Sequence, residues 1–223
     1  MTKLMYALWG SDLSSALHAE TLRTKLADAG ATRLQLNIDD EHVTRAMRIP
    51  TFEEPIGAIV TVWTDGRPGD VTAALSPSAD RIEGWRVEER KRLDPPETYD
   101  GRRADALANV AVIRKPSELS QQEWMHRWMV DHTPIAIRTQ ATFGYIQNVA
   151  GDPVTPDAPY VSAFVEELFP SAGMDDMHAF YGSGGSDEEL NRRLNELMAS
   201  VARIGADHDI DLVPTSRYLY DLT

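Results

Sequence analysis

A stretch rich in turn-forming residues, DPPETYDG at 94–101, is the feature that most limits how this chain can fold. Its two prolines and its glycine interrupt any continuous helix or strand, so the stretch is predicted to be a linker. The pieces before and after it, 1–93 and 102–223, each have the length of a small domain. We therefore predict two domains with these boundaries.

The apolar spacing within the two pieces predicts the same order of elements in each. In the first piece it predicts strands at 4–9, 34–38, 56–63 and 85–93 and helices at 12–29 and 70–80. In the second it predicts strands at 108–114, 143–149, 160–168 and 217–222 and helices at 120–132, 174–181 and 187–204. Apart from an extra helix, both read β-α-β-β-α-β, which is the ferredoxin-like arrangement. We therefore predict an α+β fold of two tandem ferredoxin-like domains, whose sheets can pack face to face within one chain.

The charge and the residue content exclude several classes of function. With 35 acidic against 22 basic residues the chain has a formal net charge of −13, which disfavours nucleic acid as a partner because phosphates are repelled. The absence of cysteine excludes disulfides, thiol catalysis and cysteine–metal sites. No apolar run of about 18 residues is present, so no membrane span is predicted. Because the N-terminus does not resemble a signal peptide, we expect a soluble cytoplasmic protein.

The segment WMHRWMVDHTP, residues 124–134, concentrates large apolar side chains and histidines on one predicted helix. Trp124, Trp128 and His132 follow one another at intervals of four, so they form a single stripe along the helix. Pro134 disfavours helical geometry at the residue before it, which predicts that the helix ends or kinks near His132. At a helix C-terminus the dipole favours a cation, and a histidine with a pKa of about 6.5 can exchange protons near neutral pH.

Simpler interpretations of the same kinds of residue stay open. Two tryptophans at helical spacing are more often core residues than part of a ligand site, and a histidine at a helix end is more often a cap. The alternating acids of DHDID, residues 207–211, could bind a hard cation, but they lack the glycine and glutamate of a calcium loop. No histidine pair or histidine–carboxylate group has the spacing of a metal site, so no metal is predicted.

The run RKPSELSQQEWMHRWMVDHTPIAIRTQATFGYIQNV, residues 114–149, resembles the EthD family of dimeric α/β-barrel proteins. The shared features are an Arg-Lys strand end, a Ser-x-x-Glu helix start, a Trp-x-x-x-His pair, a following proline and a Gly-Tyr strand. Here they are Arg114-Lys115, Ser120 with Glu123, Trp128 with His132, Pro134, and Gly144-Tyr145. The first helix, DLSSALHAETLRTKLADAG, has no such pair, so we interpret the first piece as a degenerate copy that leaves one histidine site.

The resemblance implies that the two ferredoxin-like domains form an intrachain α/β-barrel pseudo-dimer, with a cleft between helices and sheet. Relatives in this superfamily look like cofactor-free cyclases, isomerases, lyases and monooxygenases that act on aromatic or polyketide-like compounds. No cofactor is therefore expected, and haem, which related barrels bind, has only a lone histidine in its favour here. By the same resemblance, His132 corresponds to the histidine of the family helix.

The resulting hypothesis is a cofactor-free lyase, isomerase or cyclase for an apolar, aromatic or polyketide-like carbonyl compound. His132 would be the general acid/base, and Tyr145 would donate a hydrogen bond to a developing oxyanion. The predicted substrate-binding residues are Trp124, Trp128, Met129, Phe143, Asn148 and His178. Alternation along the predicted strand places Phe143 on the face of Tyr145, and Asn148 on the other face. The alternative is a non-catalytic small-molecule binding protein of a catabolic pathway, and an exposed edge strand could also pair two chains into a homodimer.

Overall fold

Eight antiparallel strands close into a β-barrel in the computed structural model, which covers residues 1–223, and helices pack on its outer surface. The first half holds β1 (Thr2–Trp9), α1 (Leu13–His18), α2 (Glu20–Asp28), β2 (Ala31–Ile38), β3 (Ala58–Thr64), α3 (Pro68–Leu75) and β4 (Arg81–Leu93). The second holds β5 (Asp100–Arg103), β6 (Leu107–Ile113), α4 (Gln121–His126), a π-helical segment (Arg127–His132), α5 (Thr133–Thr139), β7 (Gly144–Pro153), β8 (Ala163–Phe169), α6 (Met177–Tyr181), α7 (Asp187–Arg203) and β9 (Ile210–Asp221).

Pairing between neighbouring strands closes the barrel in the order β2-β3-β1-β4-β7-β8-β6-β9, and β9 pairs back with β2. Each half therefore supplies four adjacent strands, and the halves meet at β4 against β7 and at β9 against β2. The strands β4 and β9 are the longest, with 13 and 12 residues, and each pairs with strands of both halves. The short β5 pairs only with β9 and lies outside the closed ring.

The barrel strands are largely buried on both faces because one face meets the helices and the other fills the barrel. Along β1, Leu4, Tyr6 and Leu8 pack against the helices of the first half, whereas Met5 and Trp9 belong to the apolar cluster inside the barrel. This division follows from the alternation of side chains along a strand. Continuous apolar runs in the sequence therefore mark strands that are buried on both sides.

The barrel interior changes from apolar to polar along its axis. Trp9 lies toward the apolar end, and Lys3, on the same face of β1, lies toward the polar end. There the buried Glu166 carboxylate accepts hydrogen bonds from Lys3 Nζ at 3.2 Å and from Asn148 Nδ2 at 2.9 Å. Burial opposes ionisation of Glu166, but the charges of Lys3 and Arg217 and the hydrogen bonds hold its pKa below the usual value. The polar end is thus a buried network of paired charges.

The predicted linker crosses this polar end. Residues 94–99 form no helix or strand, and β5 begins directly after them. Glu97 Oε1 lies 3.2 Å from Nη2 of Arg217, whose side chain is buried inside the barrel. Pro95 packs so closely on the strand that a Cβ added to Gly144 would lie 2.8 Å from its Cβ. The segment 94–99 therefore covers the polar end of the barrel and supplies one of its charges.

The helices predicted at 12–29 and 174–181 differ in extent from those of the structure. The helix predicted at 12–29 is divided into α1 and α2, because Ala19 has extended backbone angles (φ −62°, ψ 133°). The helix predicted at 174–181 is shortened, since α6 begins after Asp176, whose side chain caps the backbone N–H groups of His178 and Ala179. None of the helices is both long and apolar enough to span a membrane.

Candidate functional site

The helix predicted at 120–132 begins where the sequence predicts and continues beyond residue 132. At its start, Ser120 Oγ accepts a hydrogen bond from the backbone N–H of Glu123 at 3.2 Å, as the Ser-x-x-Glu pattern indicates. Of the two predicted outcomes near His132, an end or a kink, the end is wrong, because the chain passes through the π-helical segment directly into α5. His132 therefore lies within a continuous helical stretch and not at a helix C-terminus.

The π-helical segment explains how this helix accommodates its proline. Pro134 has no N–H, and in an α-helix its ring would clash with the carbonyl four residues earlier. Here the N–H of Thr133 instead reaches the Trp128 carbonyl five residues earlier, and Thr133 Oγ1 donates to the same carbonyl at 2.9 Å. Pro134 then occupies the first turn of α5, where a missing N–H is tolerated. Such π-helical turns are frequent at functional sites.

A cavity of about 130 Å³ lies between the π-helical segment, α5, α7 and the outer face of the second-half strands. Twelve of its fifteen lining residues are hydrophobic. The groups that can exchange protons or hydrogen bonds are His132, Gln140, Tyr145 and Glu167, and no lysine or arginine lines the cavity. We refer to it as the His132 cavity.

His132 is buried and uncharged at neutral pH. Its side chain is 7% exposed, and Nδ1 lies 2.9 Å from Ser200 Oγ on α7. Burial lowers the pKa of His132 to about 4, well below the near-neutral value expected at a helix C-terminus. When Ser200 accepts the hydrogen bond from Nδ1, the other ring nitrogen, Nε2, is an unprotonated acceptor without a protein partner.

Glu167, on β8, is the ionisable group of the cavity that titrates near neutral pH. It is half-buried, and burial raises the pKa of its carboxyl group to about 7. The Gln140 amide is oriented with its nitrogen 3.2 Å from Glu167 Oε1 and from the Ala136 carbonyl, since the reverse orientation would face its oxygen to both acceptors. Protonated and ionised forms of Glu167 are thus both populated near pH 7.

Glu167 is the ionisable residue of the cavity that the sequence interpretation missed. A signal for it is present in the strand FVEELF, where two consecutive acids stand among apolar residues. Because adjacent side chains of a strand point to opposite faces, one carboxylate must enter the barrel and the other must face the helices. Glu166 enters the barrel network and Glu167 lines the His132 cavity.

Tyr145 and Trp128 complete the polar side of the His132 cavity. Tyr145 is buried, and burial followed by the charge of Glu167 raises the pKa of its hydroxyl, so the group stays protonated. Trp128 is fully buried, lines the cavity, and has an indole Nε1 donor without a hydrogen-bond partner in the protein. The cavity is therefore lined by the protonated side chain of Tyr145, the indole ring of Trp128 and the carboxyl group of Glu167.

Two of the predicted substrate-binding residues, Trp124 and Met129, lie behind the cavity lining. Trp124 packs on Trp128 with ring centroids 4.9 Å apart, and its Nε1 donates to the Ile204 carbonyl at 3.2 Å. Met129 is buried in the same apolar cluster, and its sulfur lies 2.8 Å from Nη1 of Arg90 on β4. Both support the wall without lining it.

Phe143 lies away from the His132 cavity, on the other side of the sheet. It precedes β7, and it packs with Ala108 and Leu168 at the end of the barrel. Regular alternation begins only at Gly144, so the expectation that Phe143 shares the face of Tyr145 is wrong.

Asn148 and His178 are also not brought to the cavity. Asn148 points into the barrel, on the opposite face of β7 from Tyr145, and donates to Glu166. His178 lies on α6, where Nδ1 is 2.7 Å from Ser183 Oγ, and it does not line the cavity. The structure thus gathers three predicted residues, His132, Tyr145 and Trp128, around one cavity and adds Glu167.

The barrel fold is shared with solved structures over nearly the whole chain. An anthrone oxidase-like protein has a TM-score of 0.59 and 10% identity, with 99% of this chain and 92% of that chain covered. Candidate monooxygenases from Lactobacillus acidophilus and Fusobacterium nucleatum each have a TM-score of 0.50 and 10% identity, with 99% of this chain and 96% and 93% of theirs covered. At this identity the likeness shows a shared fold alone. No family model and no curated protein matches the sequence.

Proposed function

We propose that this chain is a small-molecule enzyme of the EthD type, built from ferredoxin-like units at 1–93 and 102–223. The strand order supports this proposal. Within each half the strands lie in the order second, third, first, fourth, and the two halves join end to end in one barrel. That order is the one expected of a βαββαβ unit, so the chain would be its own dimer.

The proposed reaction is a proton transfer on a neutral carbonyl or phenolic compound, of the lyase, isomerase or cyclase type. The observation that carries the proposal is the meeting of Glu167, His132 and Tyr145 at one apolar cavity. A mostly apolar site strengthens the interaction of its few polar groups with a bound molecule.

The size of the His132 cavity limits the ligand to about one ring. Its volume of about 130 Å³ is close to that of an engineered protein cavity of about 150 Å³ that binds benzene. The proposed substrate is therefore a single-ring aromatic or a comparably compact carbonyl compound.

The charge of the lining favours a neutral ligand. No lysine or arginine faces the His132 cavity, and the pKa of His132 is too low for it to be a cation at neutral pH. An anionic ligand would be buried beside Glu167 without a counter-charge, which is strongly unfavourable. Ketones, lactones and phenols therefore fit this site better than carboxylates.

Glu167 is the best-matched proton acceptor, because a general base works best with a pKa near the operating pH. The pKa of its carboxyl group is about 7, whereas that of His132 is about 4. In the proposed step, Glu167 takes a proton from the carbon beside the ligand carbonyl and returns it at a second position. Tyr145 donates to the oxygen on which negative charge develops, and neutral His132 orients the ligand. The step needs no co-reactant.

The names of the fold neighbours favour a second candidate, oxidation of the same ligand by dioxygen. Two of the neighbours are named as candidate monooxygenases and one as anthrone oxidase-like. After deprotonation, a CH₂ group would be converted to C=O, with one oxygen atom of O₂ retained and the other released as water. A third hypothesis is that the same cavity binds a small molecule without catalysing a reaction.

Proton exchange with solvent deuterium tests the proposal directly. Single-ring ketones are incubated in D₂O with the wild type, Glu167→Gln, His132→Ala and the exposed control Glu188→Gln. We expect exchange beside the carbonyl to be lost in Glu167→Gln, weakened in His132→Ala and kept in the control. Oxygen uptake measured in the same samples identifies the oxidation candidate. Binding without either exchange or oxygen uptake would establish the non-catalytic alternative.

A further inference from the structure

A second cavity, of about 370 Å³, lies at the polar end of the barrel beside the 94–99 segment. Its wall includes Pro96 of that segment, Arg103 of β5, and Arg217 of β9. It also includes Leu168, which directly follows Glu167 on β8 and so points to the opposite face. The sheet therefore separates this space, the barrel-end cavity, from the His132 cavity.

Two guanidinium groups of the barrel-end cavity keep unused donors. Arg217 is 1% exposed, and its Nη2 donates to Gln35 Oε1 at 2.9 Å and to Glu97 Oε1 at 3.2 Å. Its Nε is buried without a hydrogen-bond partner, and so is Nη1 of Arg103. A buried charged donor without an acceptor is costly, so an acceptor brought to this cavity is stabilised there.

The acidic residues of the cavity already have partners. Asp100 accepts a hydrogen bond from the backbone N–H of Arg102 at 2.9 Å. Asp105 accepts one from the hydroxyl of Ser171 at 2.7 Å. The buried polar atoms of the lining that lack a partner are therefore both guanidinium nitrogens, in a protein whose overall charge is strongly negative.

The apolar part of the wall includes Phe143, Leu168 and Leu219, while Thr98 and Arg102 are also among the lining residues. We propose that the barrel-end cavity binds a small organic carboxylate, whose charge pairs with Arg103 and Arg217 and whose apolar body contacts the three apolar side chains. Planar guanidinium groups suit the two oxygens of a carboxylate. Inorganic phosphate carries negative charge but has no apolar body that could contact the apolar side chains of the wall. Phe143, which does not line the His132 cavity, acquires a role here.

Calorimetric titration with benzoate, benzamide and inorganic phosphate tests this proposal. Benzamide has the shape of benzoate without its charge. The variants are Arg103→Gln, the exposed control Arg86→Gln on β4, and Glu167→Gln, which reports on the His132 cavity. We use Arg103→Gln because Arg103 is only half-buried on the short β5, and an unchanged melting temperature verifies that this variant is folded.

We expect benzoate to bind, benzamide to show no binding, and phosphate to bind more weakly than benzoate. Arg103→Gln should weaken the affinity for benzoate by about tenfold or more, which is the loss typical of one charged hydrogen bond. Arg86→Gln and Glu167→Gln should leave this affinity unchanged. The proposal is overturned if benzoate does not bind, if benzamide binds with equal affinity, or if Arg103→Gln leaves the affinity for benzoate unchanged. Binding of phosphate alone would reject an organic carboxylate, and sensitivity to Glu167→Gln would place the ligand in the other cavity.

Discussion

His132 Nδ1 lies 2.9 Å from the hydroxyl of Ser200, so the π-helical segment and α7 are joined by a polar contact at the edge of an apolar cavity. Both side chains are buried, with 7% and 3% of their surface exposed. This hydrogen bond decides which nitrogen of the imidazole carries the proton, and with it the character of the nitrogen left for a ligand. The properties of His132 therefore depend on a residue 68 positions away in the sequence.

Replacement of Ser200 should destabilise the protein through His132. In Ser200→Ala the buried Nδ1 loses its partner, and the free energy of unfolding should fall by about 1–3 kcal/mol. Urea denaturation of this variant and of Asn195→Ala, an exposed position on the same helix, measures the effect. Equal stability of the two variants would show that the contact contributes nothing.

Glu167 should make the protein less stable as pH rises. The pKa of its carboxyl group is about 7 in the folded protein against an ordinary value of 4.5, so between these values the folded state binds more protons than the unfolded state. Stability contributed by the protonated group is present below pH 4.5 and is lost as pH rises through 7. Urea denaturation across this range should show the loss in wild type and in Glu188→Gln, but not in Glu167→Gln. A wild-type profile that matches Glu167→Gln would contradict the assignment.

His132 should make the protein less stable as pH falls, which is the opposite of the effect of Glu167. Burial lowers its pKa from 6.5 to about 4, so between these values the unfolded state takes up a proton that the folded state refuses. Stability is complete above pH 6.5 and decreases as pH falls toward 4. His132→Gln should remove this decrease, while His126→Gln, at an exposed position of the same helix, should keep it. The same decrease in both variants would mean that His132 is not the group responsible.

Trp128 should set the size of ligand that the His132 cavity accepts. Trp128→Phe widens the cavity and removes an indole donor that has no partner, so we expect 2-naphthol to bind the variant more tightly than the wild type, and phenol less tightly. The cost in stability should be about 1–3 kcal/mol. Trp124→Phe is the matched control, because it removes the hydrogen bond to Ile204 without reaching the cavity. Thermal shifts with both phenols provide the comparison, and an unchanged preference in Trp128→Phe would place the ligand elsewhere.

The close contact between Gly144 and the 94–99 segment should make Gly144→Ala destabilising. The added Cβ would lie 2.8 Å from Pro95 Cβ, and relieving that overlap should cost about 1–3 kcal/mol. Gly69→Ala, on α3, meets no atom within 4 Å and should stabilise the helix by about 0.4–1 kcal/mol. Chemical denaturation of the two variants should give changes of opposite sign, whereas a neutral Gly144→Ala would show that the segment adjusts freely.

Much of the fold could be predicted because its strands and helices are encoded locally. The alternation and the apolar runs predict strands within a few residues of β1, β2, β3 and β4, and the Ser120–Glu123 pattern predicts the start of α4. The break of the first helix at Ala19 could not be predicted, because alanine is a strong helix former and only packing imposes its extended conformation.

The candidate site could be predicted only in part. Trp128 and His132 lie on one stripe because helical spacing is a local property, and Tyr145 joins them because the next strand packs on that helix. Asn148 was predicted to bind substrate but points into the barrel, and Glu167 was missed, since which face of a strand meets the helices is decided by the packing of the sheet. The π-helical segment also escaped prediction, because a proline in a helical pattern usually ends the helix.

The sequence by itself determined the order of the elements, the break at 94–101, the absence of cysteine chemistry and the stripe from Trp124 to His132. These features depend on residue type and near-neighbour spacing. Only the tertiary structure decided that the strands close into one ring, that the linker covers the barrel, and that Glu167 rather than His132 titrates near neutral pH. The physical reason is burial, since the pKa of a side chain depends on the solvent and charges that distant segments remove or bring to it.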